Sequence, residues 1–384
     1  MTVAPPILAG VPGSFAHGVF HERHPKLIDQ VLTALPYEPA QRTALRQLLD
    51  ESTNGVLTPL TENTPDRQQW YDWGIGLWGR PWGDAPFLWA ESYFYRRLLE
   101  ATGYFQHGAW RGIDPFAPTK NAELASPAVA AELAALADVA TVSEDKRRDA
   151  LLLSALWGNQ ADLSFQLTAA TIARSSNLVV DDSARLWSTL TSADHPTLCV
   201  VADNAGRELL PDLTLIDHLL VSGLVSDVVL YLKPHPYYVS DATMIDLLAI
   251  LDHLQQAPVP EARDIGQRLR QAMRDEHLRV RTHDFFTAPL PFREMPTQLA
   301  AEFRTATVTL LKGDLNYRRL VGDQHWAPTT PFSDLVAYFP SPVTALRTLK
   351  SDVITGLRAS QVEELDSTGQ SWRNNGEHAL IQAS

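Results

Sequence analysis

The 384-residue chain is 45% hydrophobic and 20% charged, ordinary globular proportions with room for a large α/β body and an added helical region. Its formal charge of −13 argues against an extended nucleic-acid surface or attraction to anionic membranes. The single cysteine, Cys199, excludes an internal disulfide framework and Cys-rich metal sites, and its run HPTLCVVADN predicts a buried strand.

Residues 1 to about 20 are rich in Pro, Gly and Ala and read as irregular. They lack the basic start and apolar run of a secretory signal, and no stretch reaches membrane-spanning length, so the expected location is cytoplasmic. HERHPKLIDQVLTAL and PAQRTALRQLLDEST carry helical periodicity. Five of the ten tryptophans then fall between 70 and 89, ahead of a helix expected from Leu88 to Leu99. Such aromatic density predicts a packed seam between the helical region and its neighbour. NAELASPAVAAELAALADVA and EDKRRDALLLSALWGN continue the helical pattern, so residues 1–165 form a mainly helical region.

From about 175 the pattern alternates. SNLVVDD, TLCVVADN, VSDVVLYLK, RTATVTLLKG and PVTALRTLKSD read as strands with helices between them. Buried-type strands alternating with helices predict an α/β fold with a mostly parallel sheet over residues 166–384. The closing NNGEHALIQAS reads as a frayed tail.

In an open parallel sheet, ligands bind beyond the carboxyl ends of the strands. There the chain places Asp203-Asn204, Asp241, Lys312-Gly313-Asp314 and Lys350-Ser351-Asp352. Asp203, Asn204 and Asp241 offer only oxygen donors, a set suited to Mg²⁺ or Mn²⁺. Each aspartate could equally cap the helix that follows it. Gly206 would allow a tight turn or close backbone approach. LKGDLNYRRL resembles an anion-binding turn, with Asp314 as cap, Asn316 and Arg318 reaching a ligand, and Arg319 on a solvated face. Lys350 could aim its ammonium at a phosphoryl group or snorkel to solvent. His235 and His325 fall in loops near this rim as structural or, in the minority reading, acid–base residues.

SFAHGVFHERHPKLID, APFLWAESYFYRRLLE, LWGNQADLS, VVADNAGRELLPDL, YYVSDAT, FREMP, LLKGDLNYRRLVGD and LRTLKSDV together resemble the DUF89 damage-control phosphatases, in their acidic-residue methyltransferase 1-like branch. The resemblance runs almost end to end. It implies a Rossmann-like domain joined to an N-terminal helical region that shapes the substrate cleft. It also implies a divalent ion on Asp203, Asn204 and Asp241, Mn²⁺ favoured and Mg²⁺, Co²⁺ or Ni²⁺ possible. Asp314, Leu315, Asn316, Tyr317, Arg318 and Lys350 would form the substrate-phosphate set, and Glu208 matches a glutamate linked to a methyl-donor site. Glu91, Asn159, Asp162 and Glu208 are candidate supporting residues, with Glu91, Tyr95 and an arginine expected as a polar network at the seam. Phe285 stands where relatives often carry tryptophan and is expected to alter pocket shape.

The expected function is therefore metal-dependent hydrolysis of small phosphate monoesters, sugar phosphates such as fructose 1-phosphate or fructose 6-phosphate, with Asp203, Asn204, Asp241 and Lys350 catalytic. The alternatives are S-adenosylmethionine-dependent methylation of protein carboxylates and a non-catalytic phosphometabolite sensor. The expected partner is a small phosphorylated metabolite, with neither nucleic acid nor membrane.

Overall fold

The computed structural model describes residues 4–139, 141–158 and 177–384. Among the described residues, the part before the sheet is helical, with isolated bridges but no strand. The first segment departs from expectation: helix Phe15–Gly18 runs into a π-helical turn, Val19–Arg23, and then into helix His24–Ala34. Ser14 starts this run, its Oγ accepting the His17 N–H at 3.1 Å. Helix Phe87–Thr102 buries most of its surface because aromatic residues cover several of its faces. Trp70, Trp82 and Trp89 pack around Tyr93, ring contacts made within the helical region itself.

Seven strands form one sheet: β1 Leu178–Asp181, β2 Thr197–Val201, β3 Asp227–Leu232, β4 Leu278–Thr282, β5 Val308–Lys312, β6 Val343–Thr348 and β7 Ala379–Ala383. Their order is β1-β7-β6-β5-β2-β3-β4. Strands β6, β5, β2, β3 and β4 run parallel, whereas β7 is antiparallel to β6 and β1 follows β7. The mostly parallel α/β sheet is as expected.

The tail is not frayed. Residues Ala379, Leu380 and Ile381 are fully buried in β7, hydrogen-bonded between β1 and β6. Strand β4 was also unread, since its LRVRT sequence at the sheet edge keeps two arginines partly in solvent.

Alternate residues of β2 enter different cores. Leu198 and Val200 join the apolar cluster containing helix Leu209–Val221, while Cys199 and Val201 join the cluster that extends to Phe20 and Phe94 in the N-terminal helices. The helical region therefore shares a core with one sheet face. Chain order reverses at β2: β3 and β4 are added on one side, β5 and β6 on the other. Such a reversal opens a crevice between the strand ends, here between β2 and β5.

Candidate metal and phosphate site

Past β2 and β3 the two chain exits are joined by backbone hydrogen bonds. Ala242 N–H donates to the Asp203 carbonyl at 2.8 Å, and Ala205 N–H donates to the Ser240 carbonyl at 2.7 Å. Asn204 and Asp241 consequently face each other across a short antiparallel bridge. Helix capping does not explain these residues. The next helix after Asp203 begins at Leu209, with Glu208 at its cap position, and the helix after Asp241 is closed by a Thr243–Asp246 capping box.

On the other side of the crevice, β5 passes directly into helix Gly313–Val321. Gly313 takes a left-handed φ of 84°, and a Cβ there would lie 1.8 Å from Asp203 Oδ2. The missing side chain lets a carboxylate from β2 rest against the first turn of the helix after β5.

These exits and the N-terminal helices enclose a cavity of about 420 Å³. Its lining includes Asp203, Asn204, Asp241, Asp314, Leu315, Arg318, Lys350 and Glu91. Seven of the proposed metal or phosphate residues thus meet in one place although they come from four separate strand exits. Asp203 and Asp241 are both buried. Burial first, then Asp241 and Glu208, pushes the Asp203 carboxyl well above its ordinary range, against the pull of Lys350 and Lys233. Burial also raises Asp241, to about 6, despite Lys233 Nζ at 3.3 Å. Asn204 is oriented by two contacts: its Nδ2 donates to Asp203 Oδ2 at 3.2 Å, and its Oδ1 accepts from Ser240 Oγ at 2.7 Å.

Two buried like-charged groups beside an amide oxygen fit a hard divalent cation, which would offset their repulsion. The donor set is two carboxylates and an amide; among the described residues, no three His, Cys, Asp or Glu side chains are grouped for a metal. Lys350 lies at the rim with its Nζ 3.6 Å from Glu208 Oε1. Burial opposes its charge, but Glu208, Asp203 and Asp314 together hold its pKa above the usual lysine value. It therefore presents an ammonium to the cavity at neutral pH.

Residues 19–365 match the damage-control phosphatase ARMT1-like domain. The chain belongs to this family. Damage-control phosphatase ARMT1 of Xenopus laevis is 30% identical, with 98% of each chain covered. The Danio rerio protein of the same name is 29% identical over 97% of this chain and 95% of its own. The human one is 28% identical over 100% and 99%, respectively. A DUF89 family protein from Pyrococcus horikoshii shares the fold, with a TM-score of 0.50 and 15% identity over 94% of this chain and 95% of its own.

In this ARMT1-like chain several side chains expected at the ligand are engaged by other protein groups. Asn316 and Tyr317 are buried and do not line the cavity. Asn316 Nδ2 donates to the Ala202 and Lys312 carbonyls at 3.2 and 2.8 Å, tying β2 to the helix start. Tyr317 O–H is bonded among Thr355 and Gln382 of the C-terminal segment, each at 2.9 Å. The Arg318 fork, expected on phosphate, grips Asp323 through Nε and Nη2 at 2.9 and 2.8 Å and Glu91 through Nη1 at 2.8 Å. Arg318 is thus the arginine of the seam network, while Arg96 holds Asp66 at 2.6 Å. Arg319 is buried rather than solvated, donating to carbonyls of Phe285, Phe286 and Leu290. Phe285 packs under Arg319 and is not in the cavity wall.

Asp314 is similarly committed. Burial disfavours its charge, yet Arg347, Arg318 and the Ser351 hydroxyl hold its pKa below the usual range. Arg347 Nε donates to Asp314 Oδ1 at 2.8 Å, fixing the β6 exit that carries Lys350. Asp352 lies away from the cavity, bonded to Asn374. His235 is half-buried against Phe105, and His325 is exposed; neither lines the cavity. Glu208 contacts Lys350 from beside the rim, while Asn159 and Asp162 lie outside the described residues. Sequence reading missed Lys233 and Arg347. Both sit at ends of apolar strands, VLYLK and TALRT, where an unaccompanied cation was the available signal.

Proposed function

We propose that this member of a phosphatase family hydrolyses small sugar phosphate monoesters, with a divalent cation held by Asp203, Asn204 and Asp241. Residues 1–165 shape the substrate cleft and 166–384 carry the metal and phosphate groups. Convergence of the two buried carboxylates, Asn204, the Lys350 ammonium and the start of helix Gly313–Val321 on one cavity carries the reading. Mn²⁺ is favoured, with Mg²⁺, Co²⁺ and Ni²⁺ as other candidates. The bound ion would supply Lewis-acid polarisation of the phosphoryl group.

The remaining work belongs to the chain. Lys350 offers its ammonium to the equatorial oxygens as charge develops on them. The amides at the start of helix Gly313–Val321 provide fixed donors and a favourable dipole. Glu91 and Asp323 hold Arg318, which braces that helix without surrendering its full fork to the ligand. Arg347 and Asp314 set the position of the Lys350 loop. Asp203 can act as a metal ligand or as a nucleophile, and direct water attack leaves it to the first task.

Phosphate release should be measured with fructose 1-phosphate and fructose 6-phosphate after chelation and restoration of each ion. Restored turnover that disappears in folded Asp241→Ala supports the proposal. Saturable binding without release under every ion condition would favour a sensor and reject hydrolysis.

A further inference from the structure

The cations expected to bind substrate phosphate are largely neutralised by the protein itself. Arg318 is held by two carboxylates, and Lys350 faces Glu208. Another wall of the same cavity carries two different cations, Arg23 and Lys26, both solvent-accessible. Neither has a carboxylate partner among the described residues, even though the chain carries a net charge of −13. Arg23 instead stacks over Phe15, its guanidinium carbon 4.9 Å from the ring centroid. Such stacking orients the planar group while leaving its N–H fork free for an oxyanion.

The backbone supports this placement. Arg23 closes the π-helical turn Val19–Arg23, and Lys26 lies in the first turn of the following helix. A π-turn rotates the succeeding helix face relative to a regular α-helix and is a frequent local device at ligand sites. Here Phe15, Val19, Arg23 and Lys26 all reach the cavity wall. Between this wall and the carboxylate floor lies Tyr95, which also lines the cavity and has no hydrogen-bond partner for its hydroxyl among the described residues. Burial first, then Glu91 and Asp241, pushes the Tyr95 phenol well up, with Arg23 pulling against them. It remains a neutral donor between the acidic floor and the basic wall.

We infer that Arg23 and Lys26 form a second anion subsite, so that the preferred substrates carry another anionic group besides the phosphoryl group being hydrolysed. This deepens the proposed phosphatase reading and rests on it. The hydrolysed ester would sit by Asp203, Asp241 and Lys350, and the second anion by Arg23 and Lys26. The Tyr95 hydroxyl would donate to the sugar between them. Arg23 and Lys26 are specificity-determining residues and take no part in bond cleavage.

The test compares phosphate release from fructose 1-phosphate and fructose 1,6-bisphosphate by wild type, Arg23→Gln/Lys26→Gln and the charge-preserving Arg23→Lys/Lys26→Arg. Wild type should show the higher kcat/KM on the bisphosphate. The neutral double variant should lose about tenfold more on the bisphosphate than on the monophosphate, as expected for removing charge-assisted hydrogen bonds. Most of that loss should appear in KM, and the charge-preserving variant should recover most of the preference. A wild-type preference for the monophosphate, or equal losses on both esters, would overturn the subsite while leaving the phosphatase reading intact. No release from either ester under any restored ion would overturn both.

Discussion

Gly313→Ala probes the crevice at its narrowest point. The new Cβ would fall 1.8 Å from Asp203 Oδ2 and 2.1 Å from its Cγ, so the carboxylate or the helix start must move by more than about 1 Å. The residue would also be held at a φ of 84°, which costs about 1–2 kcal/mol for an L side chain. A displacement of that size at a catalytic centre lowers turnover by about 100-fold. Urea unfolding and phosphate release at saturating Mn²⁺ separate the two effects. Gly206→Ala supplies a comparison, because its φ is 58° and its Cβ would meet the end of the Glu123 side chain at 2.8 Å. It should cost similar stability but far less turnover. Ordinary turnover in folded Gly313→Ala would refute the claim that Asp203 works from this position.

Truncation after Gly376 should abolish cooperative thermal unfolding, since it removes β7 from between β1 and β6; a truncated chain with an unchanged transition would contradict that role. His24 gives a separate pH signature. Burial first, then Arg23, lowers its pKa to about 3 from the ordinary 6.5, and its ring stacks on Phe94 at 3.6 Å. The unfolded chain accepts this proton below pH 6.5 while the folded one refuses it until about 3, so stability falls with pH across that window. The loss reaches about 2 kcal/mol at pH 5. His24→Phe should flatten the fall between pH 7 and 5 by that amount in denaturant titrations, and an unaltered slope would count against the buried neutral ring.

The central strands were legible because TLCVV, DVVLYL and VTLLK are continuous apolar runs of the kind buried on both faces. The β7 sequence, HALIQAS, lacks that length and follows Asn and Gly; its burial comes from two neighbours that precede it by many residues. Strand β4 was hidden for the opposite reason, being a polar edge. The acidic half of the site was visible because parallel strands bring their exits to one rim. Arg318 shows the limit of that reasoning. Its phosphate-like fork geometry is evident from residue type, but Glu91, which occupies part of it, is 227 positions away in the chain. Arg23 and Lys26 were likewise obscured: HERHPKLIDQVLTAL reads as a helix, but its periodicity does not show the π-helical turn at its start or which of its charged residues reach the cavity.

Crystals grown with Mn²⁺ and measured at its absorption edge address the metal cradle most directly. An anomalous peak should lie about 2.0–2.3 Å from side-chain oxygens of Asp203, Asn204 and Asp241, and vanish in Asp241→Asn. No peak at this place under saturating Mn²⁺, with phosphate release retained by Asp241→Asn, would contradict the account.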